Sequence, residues 1–200
     1  MLLLVTTGHP DMTRYAHPNL GRLIQPRHTS SIERTAASGI PWAADNDCFQ
    51  RLDAAAYKTM LRRIDGLPGC LFVVVPDVVG DHKATMRRWR RWHGATSQPR
   101  AFVLQDGCDQ IPDDAACVFV GGTTSFKMST EAANLVGEAK RRGLWAHMGR
   151  VNSFRRIRYA ASIGCDSVDG TAWAMFKRAH LRRGLGYVST PPQLSLEVPA

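Results

Sequence analysis

CLFVVVPDVVGDHKATMRRWRRWH, residues 70–93, passes from an unbroken apolar segment through a proline and an aspartate into a segment with helical spacing. CLFVVV (70–75) shows no alternation of polar and apolar residues, so both of its faces are expected to be buried, as in a strand of a parallel sheet. DHKATMRRWRRWH (81–93) opens on Asp81, a good helix cap, and mixes apolar with basic residues as a surface helix does. The unit is a strand that feeds a helix, with Asp77 at the exit of the strand.

Outward from this unit the same pattern recurs. LLLVT (2–6), PWAAD (41–45), AFVLQ (101–105), CVFVG (117–121), LWAHM (144–148) and CDSVD (165–169) are further short apolar runs. LDAAAYKTMLRRI (52–64), STEAANLVGEAKRRG (129–143) and SFRRIRYAASIG (153–164) have helical spacing, and the last two stop at Gly143 and Gly164. Strand and helix in alternation define an α/β fold. Nearly every run ends on a polar residue or glycine: Asp45, Asp77, Gln105, Gly121 with Gly122, His147 with Met148, and Asp169. In a closed (β/α)8 barrel those ends converge on one mouth, whereas an open sheet would spread them along an edge. The expected fold is therefore a TIM-like (β/α)8 barrel, one compact domain over residues 1–200. Its eighth strand is either RLIQP (22–26) or LSLEV (194–198), and the proline-rich stretch 189–200 reads as a loosely attached tail.

With 44% hydrophobic residues in 200, the chain can bury one substantial core. Lys and Arg number 26 against 17 Asp and Glu, a formal charge of +9, which points to a polyanionic partner such as nucleic acid. MLLLV lacks a basic leader and meets TTGHPD too soon to be a signal peptide or a membrane span, so it is expected to be a buried first strand. Cys48, Cys70, Cys108, Cys117 and Cys165 are dispersed and form no CxxC, so neither a disulfide framework nor a zinc site is signalled, and a reduced, cytoplasmic protein is expected.

ADNDCFQ (44–50), VVPDVVGD (74–81), FVLQDG (102–107), FVGGTTSFK (119–127) and HMGRVNSFRRIRYAASIGCDSVDGT (147–171) resemble, in sequence order, the active-site segments of tRNA-guanine transglycosylases. The chain is shorter than the tRNA enzymes and lacks their cysteine-rich zinc site, so it looks more like the phage-type relatives that place 7-deazaguanine bases in DNA. The resemblance implies a base exchange on guanine in DNA, or less closely in tRNA, with a free 7-deazaguanine as second substrate and no cofactor.

The resemblance also implies roles. Asp169 becomes the nucleophile that attacks the sugar, Asp45 the acid and base for the departing and entering purines, and Asp166 a structural neighbour. Asp47, where the family has glycine, leaves the choice between Asp45 and Asp47 open. Asp77 and Gln105 would read the purine edge, the backbone of Gly121, Gly122 and Thr123 would approach it, and Met148 and Phe49 would cover its faces. Gly149 and Arg150 would hold phosphate at the start of a helix. On a purely structural view Asp77 and Gln105 are strand-end caps.

Arg87, Arg88, Arg90 and Arg91 surround Trp89 and Trp92, which are expected to pack on the barrel exterior. Two other classes compete with the base exchange. One is a metal-dependent hydrolase using His9, His147 and the same aspartates, weakened by the absence of paired ligand spacing. The other is a nucleic-acid binder with a degenerate pocket.

Overall fold

The computed structural model describes residues 1–6, 16–49, 51–175 and 178–190. In chain order the elements are β1 (Leu2–Thr6), β2 (Leu20–Ile24), α1 (Ile32–Ala37), β3 (Trp42–Ala44), α2 (Ala54–Ile64), β4 (Cys70–Val74), α3 (His82–Arg91), β5 (Arg100–Leu104), β6 (Cys117–Val120), α4 (Thr124–Lys127), α5 (Thr130–Arg141), β7 (Trp145–Met148), α6 (Phe154–Ser162), β8 (Ser167–Asp169), α7 (Thr171–Met175) and α8 (Arg178–Ser189). The strands form a closed barrel in sequence order. Closure comes at β1, whose Leu4 is registered in parallel with Gly21 of β2 on one side and Asp169 of β8 on the other. The (β/α)8 barrel expected from the sequence is the fold observed.

Of the two candidates for the remaining strand, the segment around 22–26 supplies it, displaced two residues toward the N-terminus as β2. The competing segment 194–198 and nearly all of the proposed tail lie outside the described residues. Gly21 is where β2 meets its neighbours most closely: a Cβ there would stand 2.4 Å from Leu4 Cδ2 and 3.0 Å from the Pro41 carbonyl oxygen.

The core has two layers. Leu4, Leu23, Ala43, Phe72, Val74, Ala101, Val103 and Cys117 pack together within the barrel, joined by the half-buried Phe119 and Trp145. The alternate strand residues, among them Leu3, Phe102, Val118 and Met148, pack outward against the helices. Such two-sided burial explains the continuous apolar runs.

Each anticipated helix starts where its polar cap dictates. Asp53 accepts from the Ala55 and Ala56 amides, Asp81 from Ala84, Ser129 from Ala132 and Ser153 from Arg156. A cap of this kind contributes about 1 kcal/mol. In α3 the buried residues His82, Thr85, Met86 and Trp89 fall at i, i+3, i+4 and i+7, the stripe that faces a sheet. Trp89 packs edge-on to Phe102 with centroids 5.5 Å apart, and Trp92 edge-on to Tyr57 at 5.1 Å, so both tryptophans are exterior packing residues as expected.

Four helices escape a reading of local pattern. α1, α4 and α7 are short, and α8 carries Gly184 and Gly186, which weaken a helix interior. Gly184 is there for closeness: a Cβ would lie 2.9 Å from the Trp173 ring and 3.3 Å from Leu3, so α8 can lie against β1 only with glycine at this point. Among the described residues no helix is long and apolar enough to cross a membrane.

Candidate active site at the barrel mouth

The strand ends enclose a cleft. Asp45 enters it from the end of β3, Asp77 from the loop after β4, Gly121 and Gly122 from β6, and Asp169 from the end of β8. Phe49 and Arg150 stand on its rim, the Arg150 guanidinium 4.3 Å from the Phe49 ring centre. Val74, Val103 and Phe119 provide the apolar floor.

Asp169 is held by the strand beside it. His147 Nε2 lies 2.9 Å from Asp169 Oδ1, and His147 Nδ1 lies 2.8 Å from Ser167 Oγ, which also accepts from Trp145 Nε1 at 2.8 Å. A carboxylate only accepts, so Nε2 carries the proton and Nδ1 accepts the Ser167 hydroxyl. A single directed chain from Trp145 through Ser167 and His147 thus ends on Asp169. The imidazole is fully buried between the rings of Phe72 and Phe119, with centroids 5.1 and 4.7 Å away. It orients the carboxylate and is shielded from any ligand.

Asp45 has a different environment. Burial, followed by the charges of Asp169 and Asp77, pushes its carboxyl up to about 7. The cleft therefore pairs an acid that is half protonated near neutrality with a carboxylate pinned by a histidine. Asp47, the competing candidate, is turned away: its backbone is left-handed (φ 55°) and its carboxylate is bound by Arg27. Asp166 lies at the opposite end of β8, bonded to Lys140 and to the Ala146 amide, a structural role as expected.

Asp77 is clamped. Asn46 Nδ2 donates to its Oδ1 at 2.7 Å and Gln105 Nε2 donates to its Oδ2 at 2.7 Å, while Arg88 donates to its backbone carbonyl. Burial raises its carboxyl above the ordinary value, and the Asn46 bond, the Arg88 charge and the Gln105 bond pull it back. Asn46, which sequence reasoning passed over, also donates to the Val75 carbonyl and accepts from the Cys48 amide. Cys48 lines the same cleft, but burial pushes its thiol up to about 12, so it is no thiolate nucleophile.

Three residues expected to meet the base have internal partners or point away from the cleft. Gln105 is fully buried, with its amide nitrogen on Asp77 and its oxygen accepting from the Gly80 amide, so both ends are engaged within the protein. Thr123 caps α4 and bonds Asp106 from an exposed position. Met148 points outward into the layer between strands and helices, because it follows the inward-facing His147 by one residue. Gly149 is buried against Phe119 and Asp169. Of the remaining candidates, Asp45, Asp77, Gly121, Gly122, Phe49, Arg150 and Asp169 are brought together.

Lys127 was missed as well. It ends α4 next to the mouth and is 6% exposed, with Nζ donating to the Gly149 carbonyl at 2.7 Å. Burial, and then the charge of Arg150, push its amine down to about 7. His9 of the metal-hydrolase alternative lies outside the described residues, and among the described residues no group of three or more His, Cys, Asp or Glu is placed to hold a metal ion.

Fold and site together define a (β/α)8 barrel with an acidic mouth. No protein-family model matches the chain, and no curated protein matches it. Similar solved structures include a mandelate oxidase variant with an FMN adduct, with a TM-score of 0.54 and 14% identity over 94% of this chain and 71% of that one. A 4-hydroxy-2-oxoglutarate aldolase has a TM-score of 0.53 and 12% identity, covering 94% of each chain. The 3-hexulose-6-phosphate synthase of Salmonella typhimurium has a TM-score of 0.51 and 14% identity over 94% of this chain and 99% of that one. At such identities the likeness is one of fold.

These comparisons overturn the resemblance to tRNA-guanine transglycosylases and with it the base exchange on DNA: the neighbours are oxidase, aldolase and synthase barrels. The side chains offer a physical reason. The set meant to read a purine is spent on internal bonds at Gln105 and Thr123 and faces away at Met148.

Proposed function

We propose that the chain is an enzyme that moves protons at a carbon next to a carbonyl group, with Asp169 as base and Asp45 as acid. Such a reaction needs a fixed carboxylate to take the proton from carbon and a neutral acid to protonate the carbonyl oxygen. The observation that carries the proposal is the unequal pair in one cleft: Asp45 near 7 beside the His147-bound Asp169. Arg150 at the rim would neutralise charge developing on oxygen.

Exchange of substrate C–H for deuterium in heavy water, followed by NMR over a panel of small hydroxy- and oxo-compounds, tests this. Wild-type protein is expected to label at least one compound, and D169N and D45N to label it at least about 100-fold more slowly. No labelling of any compound by folded protein defeats the proposal.

A second reading concerns partners. The excess of 26 basic over 17 acidic residues, with Arg87, Arg91, Arg155, Arg158 and Arg182 exposed, favours contact with nucleic acid such as DNA. Binding to duplex DNA that weakens steeply with salt is the expected result, and salt-independent or absent binding removes it.

A further inference from the structure

Beside the mouth, between the loop after β6 and the loop after β7, three basic side chains gather at a shallow depression lined by Lys127, Arg150 and Arg156 with Thr124, Met148 and Val151. Lys127 Nζ donates to the Gly149 carbonyl, Arg150 Nη2 to the Gly122 carbonyl at 2.6 Å, and Arg156 Nη1 reaches the Arg150 carbonyl at 3.5 Å. These bonds use a fraction of the donors that a lysine and two arginines carry. None of the three forms an ion pair with a described carboxylate.

Like charges so placed repel, and the effect is felt at Lys127, whose amine Arg150 and Arg156 both disfavour in its charged form. Burial also disfavours the charged amine, and Asp169 and Asp77 offset the repulsion only in part, so positive charge held partly out of water here is costly unless an anion shares it. Arg150 lines both this depression and the acid–base cleft, so one ligand can occupy the two at once. Because Lys127 is almost fully buried, the anion must be a terminal group that reaches inward, as opposed to a chain passing across the surface.

We propose that the depression lined by Lys127, Arg150 and Arg156 binds the terminal phosphate group of the substrate. A phosphate monoester supplies two negative charges and three acceptor oxygens, enough to engage all three side chains. Arg150 then fixes the distance between that phosphate and the carbon presented to Asp169. The assignment rests on the acid–base reading for what happens in the neighbouring cleft, while the binding itself is independent of it.

Calorimetric titration at neutral pH with inorganic phosphate, glycerol 3-phosphate and glycerol tests the site. Phosphate and glycerol 3-phosphate are expected to bind and glycerol not. K127M and R156Q are each expected to weaken the phosphate compounds by about tenfold or more, the size of one lost charge-assisted bond, and D45N to leave their binding intact. Should a variant fail to fold, the Lys127 side-chain resonances of wild-type protein provide the second measurement, since bound phosphate must raise the pH at which the amine titrates. Absence of phosphate binding, or an unmoved Lys127 titration, overturns the proposal. An oligonucleotide with unphosphorylated ends that competes as well as glycerol 3-phosphate would replace a terminal phosphate with a backbone diester and also overturn it. If phosphate binds as expected but D45N and D169N leave deuterium exchange unchanged, the acid–base reading fails and the phosphate site stands.

Discussion

His147 Nε2 and Asp169 Oδ1 lie 2.9 Å apart across the adjacent strands β7 and β8, with Ser167 and Trp145 stacked behind the imidazole in the same hydrogen-bonded chain. The arrangement makes His147 a positioning residue and Asp169 the group that faces a ligand. Nitrogen-15 shifts of the wild-type imidazole are expected to show Nε2 protonated and Nδ1 accepting. Ser167→Ala removes the hydroxyl from both partners and should cost about 1–3 kcal/mol of stability, release the tautomer, and slow deuterium exchange less than D169N does. A wild-type ring protonated at Nδ1 alone would refute the direction of the chain.

Asp45 carries a pH signature. Its carboxyl is raised to about 7 in the folded protein by burial and by the charges of Asp169 and Asp77, with Asp47 adding to them and Gln25 opposing at 3.5 Å. In the unfolded chain it titrates in the ordinary carboxyl range, near 3.9. Between those values the unfolded state has lost the proton and the folded state keeps it, so stability falls as pH rises toward about 7 and the penalty is complete above it. D45N removes the penalty. The variant should match wild type at about pH 4 and exceed it by a few kcal/mol at about pH 8, because every pH unit between the unfolded and folded titrations costs roughly 1.4 kcal/mol. Denaturant titrations at the two pH values measure this, and an equal gain at both would be incompatible with a raised Asp45.

Asn46 holds Asp45 and Asp77 in one frame, its backbone amide donating to Asp45 Oδ1 at 2.8 Å and its side chain to Asp77 Oδ1 at 2.7 Å. Asn46→Ala keeps the first bond and deletes the second. The buried Asp77 carboxyl then rises further, and stability should drop by about 1–3 kcal/mol, more at pH 8 than at pH 5 because the charged form loses one of its two side-chain donors and keeps only Gln105. Urea unfolding across that range is the check.

Gly149 lies where β7 runs into the Asp169 site. A Cβ at this position would stand 2.5 Å from the Phe119 ring and 3.3 Å from Asp169 Oδ1. Gly149→Ala should therefore destabilise by about 1–3 kcal/mol through overpacking. It should also slow deuterium exchange by more than the same substitution at Gly137, where the nearest side-chain atom is 3.6 Å away. Equal effects at the two glycines would mean that Phe119 yields freely.

The sequence alone determined the alternation of strand and helix and placed seven of the eight strands and the four long amphipathic helices α2, α3, α5 and α6. Caps at Asp53, Asp81 and Ser129 and stops at Gly143 and Gly164 are local chemistry, and each holds in the structure. The polar ends of the apolar runs likewise announced a mouth. Tertiary structure decided which side chains reach it. Strands buried on both faces have no polar alternation to mark the inner one, so Met148 and His147 look alike as strand-end residues until barrel closure points His147 inward and Met148 toward the helices. The same closure sets Phe119, His147 and Ser167 level across three strands and brings Asp45 beside the last strand. These are contacts between residues far apart in the chain, fixed by register.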